Sequence, residues 1–290
     1  MRFHFINLRR YWYLLSLLII IPGVISLATR GLNLGIDFTG GNLMEVRFEQ
    51  RTSIQDVRGV LHKHGLARTP IQKSGPDTFI IRTPVLTEEQ SGKLIDDLQR
   101  DIGQLTVLRN EAVGPVIGRE LTLRAIAALA VASVLMILYI WWRFEFKQGI
   151  AAVTALLHDV LVTVGIFSLL QIEVNSPFVA AVLTVIGYSI NDTIVIFDRI
   201  RENLHGAKKG ERLEDVVNIS IWQTLARSIN TVLTVLFMLL ALYFLGGTTI
   251  RDFVLAMLIG ITSGAYSSIF NASPLWVDLK RLEGKQKVGE

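Results

Sequence analysis

The sequence predicts an α-helical membrane protein with six transmembrane helices and one inserted α+β domain of the ferredoxin-like class. Two observations support this prediction. Hydrophobic residues occupy 51% of the 290 positions and the mean hydropathy is +0.45, which is more apolar surface than one soluble core can bury. The apolar residues also fall into six stretches of membrane-spanning length around a single polar interval at 30–118. The chain therefore divides into a lipid-facing part and a water-exposed part.

The six spans are predicted at residues 12–29, 120–142, 149–170, 178–198, 226–245 and 252–275. An even number of spans leaves both chain ends on one side of the membrane. Basic residues cluster on that side, at Arg2, Arg9, Arg10, Arg143, Lys147, 199–212 and 280–287. Because such clusters are retained in the cytoplasm, we expect both termini there and the polar interval outside. The predicted parts are a cytoplasmic N-terminus with the first helix (1–29), an extracytoplasmic domain (30–118), a five-helix bundle (119–278) and a cytoplasmic tail (279–290).

The polar interval switches between the hydrophobic periods of strands and helices. Period-two alternation predicts strands, and apolar residues three and four apart after a capping residue predict helices. The predicted elements are a strand at 44–48, a helix after Ser53, strands at 68–73 and 78–82, a helix after Thr87 and a strand at 105–113. This β-α-β-β-α-β order is that of the ferredoxin-like fold, which carries many functions and identifies none by itself.

Ionisable residues inside the spans are the main candidates for function. A charge at the bilayer centre costs about 2.5–3.5 kcal/mol on insertion scales, so each one needs a reason. Asp192 in the fourth span and Arg227 in the fifth lie at comparable depth on neighbouring antiparallel helices, so a buried pair is feasible. Each belongs to a polar stripe at helical spacing. The supporting polar residues of these stripes are Tyr188, Asn191, Asn230 and Thr231.

Two interpretations of Asp192 and Arg227 stay open at this point. In the first, Asp192 is a proton-relay carboxylate whose proton affinity is set by competition between desolvation and the arginine charge. In the second, the two residues form a static ion pair that fixes helix register. The residues themselves do not distinguish protons from sodium as a coupling ion.

His158 and Asp159 in the third span are secondary candidates, since histidine titrates in the range where proton carriers work. Adjacent residues point about 100° apart on a helix, so we do not expect these two to face each other, and interhelical hydrogen bonding explains them equally well. The sixth span has small residues on one face, which predicts close helix packing. These residues are Gly260, Ser263, Gly264 and Ser267.

Several classes of site have no counterpart in the sequence. The chain has no cysteine, and it has no phosphate-binding Gly-x4-Gly-Lys loop, His-Glu-x2-His pair or Gly-x-Ser-x-Gly elbow. We therefore predict no bound metal, no cofactor and no enzymatic activity. The excess of basic residues lies at span ends, which favours a membrane surface over a nucleic-acid partner.

Five motifs resemble the SecF family, whose members are the smaller subunits of the SecD/SecF auxiliary of bacterial protein export. The motifs are GIDFTGG at 35–41, VGPVIG at 113–118, LHDV at 157–160, GYSINDTIVIFDRIREN at 187–203 and RSINT at 227–231. The resemblance covers nearly the whole chain. The 187–203 motif is highly specific, whereas the glycine motif alone is shared with SecD.

The resemblance implies a bacterial cell-membrane protein that forms half of a resistance-nodulation-division-like unit, completed by SecD. It also implies the Sec translocation channel (SecY, SecE and SecG), a translocating polypeptide and membrane lipid as partners. Proton-motive force would drive the late stage of export, with Asp192 and Arg227 as the family's proton-path residues opposite a SecD carboxylate. Whether the chain is separate from SecD or fused to it is left open.

Two other functions compete with protein export. A small-molecule exporter of the same superfamily would need large substrate-binding outer domains, and 30–118 has room for only one small ferredoxin-like unit. A structural scaffold subunit, in which the buried pair only fixes helix register, predicts that neutral replacements retain activity. Protein export driven by protons is the function that the sequence predicts.

Overall fold

The computed structural model describes residues 3–284, apart from the side chains of Pro115 and Thr248. Residues 1–2, including Arg2, and residues 285–290, which include half of the predicted cytoplasmic tail (279–290), lie outside the described residues. Six helical stretches in the described part are long and apolar enough to cross a membrane, by length and composition. The predicted fold class is confirmed.

The spanning helices are α1 (Arg9–Arg30), α5 (Pro115–Arg143), α6 (Phe146–Leu170), α7 (Ser176–Gly206), α8 (Leu213–Leu245) and α9 (Arg251–Ser267), the last continued by α10 (Ser273–Arg281). Each predicted span lies inside one of these stretches. The largest difference is at α8, which begins 13 residues before the predicted 226. Leu213, Val217 and Ile221 are buried four residues apart, so one amphipathic face carries the helix beyond the apolar span. Short 3-10 turns at Ile6–Leu8 and Thr248–Ile250 precede α1 and α9.

The sixth span is interrupted, which the sequence analysis did not predict. A π-helical segment at Ser268–Ala272 separates α9 from α10, and Pro274 lies in the first turn of α10. A proline has no N–H to donate to the turn before it, so the regular helical ladder cannot pass through this position. The hydroxyl of Ser268 donates to the Gly264 carbonyl at 2.8 Å. A serine hydroxyl thus bonds a backbone carbonyl where the regular helical hydrogen bonds are interrupted.

Leu34–Ile126 forms one compact unit and the rest of the chain forms another. The first unit contains β2 (Gly41–Phe48), α3 (Ile54–Lys63), β3 (Ile71–Gly75), β4 (Thr78–Thr83), α4 (Glu88–Asp101) and β5 (Leu105–Val113). Its antiparallel sheet has the order β3-β4-β2-β5. The β-α-β-β-α-β order is thereby confirmed, and so are the capping residues Ser53 and Thr87, which form capping boxes with Asp56 and Gln90. Outside the sheet are β1 (Asn33–Leu34), α2 (Ile36–Thr39) and β6 (Glu173–Val174).

The first unit has its own apolar core between the sheet and two helices. Val46, Phe79 and Ile81 from the strands are fully buried. Leu61 of α3 and Leu94 of α4 pack against them. Since the alternating strand residues and the apolar helix faces meet here, the period-two and helical patterns account for this core.

The compact unit runs past the boundary expected from the sequence, which was 30–118. The unit is Leu34–Ile126 and so includes the first turns of α5. The helix contacts the glycine motif at Gly118. A Cβ added at Gly118 would lie 3.1 Å from the Gly40 nitrogen and 3.2 Å from the Phe38 carbonyl oxygen. A glycine at this position therefore allows helix α5 to start in direct contact with the loop before β2.

Candidate functional site

Asp192 lies on α7 and is only half satisfied by hydrogen bonds. Its Oδ1 accepts a hydrogen bond from the Ser228 hydroxyl of α8 at 2.6 Å. Its Oδ2 is buried and has no hydrogen-bond partner among the described residues. A buried carboxylate oxygen without a donor is costly, and such exceptions need an explanation.

Arg227 lines the same cavity as Asp192 but does not contact it directly. The cavity has a volume of about 130 Å³ and is also lined by Tyr188, Asn191 and Thr231. Within residues 3–284, no ion pair of 4 Å or less joins the Arg227 guanidinium to Asp192. The expected direct pair is replaced by a gap between the two charges. Ser228 is the residue that faces Asp192, and successive helix residues point about 100° apart, so Arg227 points to the side of it.

The supporting polar residues divide into two groups. Tyr188, Asn191 and Thr231 line the cavity with Asp192, and Tyr188 is 38% exposed. Asn230 is exposed and does not line this cavity. The structure therefore brings five of the six predicted residues together and leaves Asn230 on another face of α8.

A second, larger cavity of about 610 Å³ adjoins the first toward the end of α7. The two cavities share Asn191, Val195 and Arg227 as lining residues. The outer one is also lined by Arg199, which bonds Glu202 at 2.5 Å and Gln223 at 2.6 Å. Polar walls and this volume suit water molecules. The two cavities together form a polar route from Asp192 past Arg227.

Asp159 of α6 is fully buried at 0% exposure and accepts hydrogen bonds from serines of two other helices, α7 and α9. Ser263 donates to Oδ1 at 2.6 Å, whereas Ser189 and Ser267 donate to Oδ2 at 2.6 and 2.7 Å. The His158 Nδ1 lies 3.0 Å from Oδ1. The expectation that His158 and Asp159 would not face each other is wrong. Free rotation about the side-chain bonds lets two neighbours meet even though their Cβ atoms diverge.

The other imidazole nitrogen of His158 continues the network toward α1. His158 Nε2 lies 3.1 Å from the Ser16 hydroxyl. Ser16 is bonded in turn to the side chain of Asn271, in the π segment, at 2.9 Å. Tyr266 stands beside the imidazole with ring centroids 5.9 Å apart. Four helical elements therefore meet around one buried His-Asp pair.

The small residues of the sixth span do two different things. A Cβ at Gly260 would lie 2.3 Å from Val185, and one at Gly264 would lie 3.1 Å from the Cβ of Ser189, so both glycines allow α9 to approach α7 closely. Ser263 and Ser267 instead donate to Asp159. Their helical spacing was visible in the sequence, but their acceptor on another helix was not.

The sequence pattern did not single out Ser189 and Ser228, which donate to the two carboxylates, or Ser16, which contacts His158. One signal was available for Ser189, because it precedes Asp192 by three residues and so shares its face. Within residues 3–284, no group of three or more His, Asp and Glu side chains is arranged to hold a metal ion.

Comparisons with known proteins place these residues in a family. A family model described as "Protein export membrane protein SecD/SecF, C-terminal" matches residues 94–282, and one described as "SecD/SecF GG Motif" matches residues 25–50. The chain is 49% identical to "Protein translocase subunit SecF" of Thermobaculum terrenum, over 93% of this chain and 91% of that one. It is 42% identical to the protein of the same name from Acidaminococcus fermentans, over 97% and 98%.

Solved structures give the same result for the fold. The crystal structure of SecDF from Thermus thermophilus, described as a translocon-associated membrane protein, matches with a TM-score of 0.89 and 39% identity. The match covers 97% of this chain and 39% of the SecDF chain. A structure of SecDF in a super-membrane-facing form matches with a TM-score of 0.71. This chain thus corresponds to less than half of the SecDF polypeptide.

Proposed function

The chain belongs to the SecF family of protein translocase subunits, multi-pass membrane proteins of protein export, and we propose that it uses the proton-motive force to promote late-stage translocation. Asp192 would be the proton-carrying group of this subunit, with Arg227 as its charge partner. The observation that supports the proposal is the incomplete solvation of Asp192, whose Oδ2 is buried without a donor among the described residues. Such an oxygen gains most from binding a proton.

The proposed coupling follows from the contacts of Asp192. Protonation would remove the negative charge that faces Arg227 across the cavity and weaken the charge-assisted bond from Ser228. Asp192 is on α7 and Ser228 on α8, so the packing of these two helices depends on the protonation state. A proton bound more tightly in one packing than in the other shifts the population toward that packing.

SecD is the proposed partner that completes the membrane unit. The match to SecDF leaves 61% of that chain uncovered (100 − 39). Tyr188, Arg227 and Thr231 are exposed polar side chains within spanning helices, and polar groups at that depth are expected to face a protein partner rather than lipid. The proposed site is therefore shared between the two subunits.

The remaining partners and the topology follow the same proposal. The Sec channel (SecY, SecE and SecG) would supply the translocating polypeptide, and the ferredoxin-like domain would act on it outside the cytoplasm. Both termini would lie in the cytoplasm of a bacterial cell, as the basic residues at the span ends suggest. No catalytic step is part of this function. The small-molecule exporter has less support, because the matched relatives are named protein translocase subunits.

The test is export of a secreted protein into membrane vesicles that contain this chain, SecD and the Sec channel, with and without an imposed proton gradient. Asp192→Asn and Arg227→Ala should assemble normally and lose the stimulation by the gradient. Glu120→Gln is the matched control, since it removes a carboxylate from an exposed ion pair with Arg124 that contributes little to stability. Full stimulation in Asp192→Asn would refute the relay and leave a structural role for the pair.

A further inference from the structure

The pair of Asp159 and His158 is a buried titratable group that the proposed relay at Asp192 does not use. Asp159 is 0% exposed and His158 is 8% exposed. Residues of this kind are expensive inside a membrane, and packing alone does not require them. A serine or asparagine would satisfy the same neighbouring hydroxyls without the cost of a charge.

Ser189 connects this pair with the cavity at Asp192. Its hydroxyl donates to Asp159 Oδ2 at 2.6 Å, and the same residue lines the cavity that contains Asp192 and Arg227. It precedes Asp192 by three residues on α7, which places both on one side of the helix. Ser263 and Ser267 also donate to Asp159, but they are not among the residues that line the cavity. Ser189 is therefore the one donor of the three that touches both places.

The hydrogen bonds around Asp159 have a second possible pattern. An ionised carboxylate only accepts, whereas a protonated one must donate one O–H, so a neighbour has to turn and accept. Ser267 can do so, because its hydroxyl has an alternative acceptor in the Gly264 carbonyl at 3.3 Å. With Ser267 turned, Asp159 in its neutral form still has every partner it needs. The same side chains can thus satisfy both protonation states.

The position in the fold also favours a functional site. Ser267 is the last residue of α9, and the π segment at Ser268–Ala272 follows directly. Such segments occur frequently at functional sites because they re-aim side chains and can change register. Within the π segment, Ser268 bonds Thr193 of α7 at 2.9 Å. A change in the hydrogen bonding of Ser267 therefore affects the adjacent Ser268 and, through it, Thr193 of α7.

We propose that Asp159 and His158 form a second proton-holding site, which exchanges protons with the Asp192 cavity through the hydroxyl of Ser189. The proposal rests on the proton coupling proposed above. Ser189 gives its proton to Asp159 Oδ2 and receives one from the cavity, so one O–H bond breaks as another forms. The new O–H on Oδ2 then donates to the turned hydroxyl of Ser267, while His158 Nδ1 stays 3.0 Å from Oδ1, and the reverse steps return the proton to the cavity.

The groups that face the pair are few. From α9 comes the phenol of Tyr266, and from α7, beyond Ser189, the carboxylate of Asp192. Helix α1 contributes the neutral Ser16 and the π segment contributes the neutral Asn271. Among the described residues, no lysine or arginine contacts His158 or Asp159. The charge of the pair is therefore set by its own two members and by the proton that Asp159 gains or loses.

Three serine variants form the first test, in the same vesicles with SecD and the Sec channel. Ser189→Ala, Ser263→Ala and Ser267→Ala each remove one hydrogen bond of 2.6–2.7 Å from Asp159. Ser189→Ala interrupts the proposed route and should lower gradient-dependent export at least about tenfold. Ser267→Ala removes the acceptor for protonated Asp159 and should lower export less, whereas Ser263→Ala should stay close to wild type. Equal losses in all three variants would mean that Asp159 only holds the helices together, and the proposal would be wrong.

Asp192→Asn in parallel separates this inference from the proposed function. If Asp192→Asn keeps full stimulation, the coupling proposal itself fails. If Asp192→Asn loses stimulation while Ser189→Ala retains it, only the second site is refuted.

Infrared spectroscopy supplies a readout that a structural role does not produce. The difference spectrum of the purified complex between two pH values should contain a carboxyl C=O band that survives in Asp192→Asn and disappears in Asp159→Asn. This measurement decides the question alone if Ser189→Ala fails to assemble. Absence of such a band from Asp192→Asn would overturn the proposal.

Discussion

The two carboxylates inside the membrane bundle are treated very differently by their surroundings. Asp159 is fully buried and has a partner on both oxygens, three hydroxyls and one imidazole in all. Asp192 is only partly buried, yet one of its oxygens has no donor among the described residues. The more accessible carboxylate is the less satisfied one.

This difference suggests a division of labour. A carboxylate with all its donors stabilises the helices that supply them, because removing it leaves those donors unpaired. A carboxylate with an unfilled oxygen next to a polar cavity stabilises less and is free to bind a proton or water. The unfolding free energy is therefore expected to depend more on Asp159 than on Asp192, whereas the proton is expected to enter the route at Asp192.

Replacing each carboxylate by alanine gives the largest expected difference. Asp159→Ala removes four hydrogen bonds and Asp192→Ala removes one. At about 0.6 kcal/mol per bond in membrane proteins, the losses in unfolding free energy are about 2.4 and about 0.6 kcal/mol. Thermal unfolding of the two purified variants in one detergent would measure this. Equal destabilisation would show that the hydroxyls around Asp159 find other acceptors, and the proposed difference in stability between the two carboxylates would be wrong.

The seam between α7 and α9 tests whether the helices must approach closely for Asp159 to be satisfied. Gly260→Ala places a Cβ 2.3 Å from Val185, and such overpacking costs about 1–3 kcal/mol. Gly187→Ala on α7 is the control, because nothing lies within 4 Å of its added Cβ. Unfolding experiments should show a loss for Gly260→Ala and none for Gly187→Ala. A neutral Gly260→Ala would mean that α9 can move away without loss.

Most of the fold could be predicted from local patterns. The N-cap at Ser53, the capping box at Thr87, the alternating strand at 44–48 and the six apolar stretches each depend on residues close together in sequence. The π segment could not be predicted in this way. Its cause is the combination of Pro274 with serine hydroxyls that take over backbone partners, and propensity alone does not reveal which carbonyls those hydroxyls reach.

The site was predicted in its charged members but not in its hydroxyls. A charge in an apolar span stands out in any sequence, which is why Asp192, Arg227 and Asp159 were found. A serine costs little in a helix and is common in spans, so Ser189 and Ser228 carry no signal until the acceptor on another helix is known. The gap between Asp192 and Arg227 was not predicted for a related reason. Packing on α7 sets the rotation of α8 about its axis, and the sequence does not reveal that rotation.

Ser228→Ala sharpens the comparison at the level of a single bond. It removes the donor to Asp192 Oδ1, so neither oxygen keeps a partner among the described residues. Ser263→Ala removes one donor of equal length from Asp159 and leaves three contacts. Each should lower the unfolding free energy by about 1 kcal/mol or less, but Ser228→Ala should also change the pH at which gradient-driven export is half maximal. An unchanged pH profile in Ser228→Ala would argue against Asp192 as the titrating group.

The smallest effect on stability is expected at a solvent-exposed carboxylate, which can be compared with the two carboxylates inside the bundle. Asp56 of α3 accepts hydrogen bonds from the Ser53 N–H and hydroxyl at 2.9 and 2.8 Å. The backbone bond first, and then the hydroxyl, lower the pKa of Asp56 below its ordinary value of 3.8. A lowered pKa in the folded state adds stability above pH 3.8 that is lost as the pH falls through the folded value.

Hydrogen exchange of the α3 amides in the full chain would measure this. Protection of the first turn should be constant at neutral pH and decline only below pH 3.8, whereas Asp56→Asn should remove that decline. Because Asp56 is exposed, solvent screens its charge and the change should stay confined to the first turn of α3. Loss of protection throughout the ferredoxin-like domain under the same conditions would mean that an exposed cap controls a whole core, contrary to the difference between buried and solvated carboxylates.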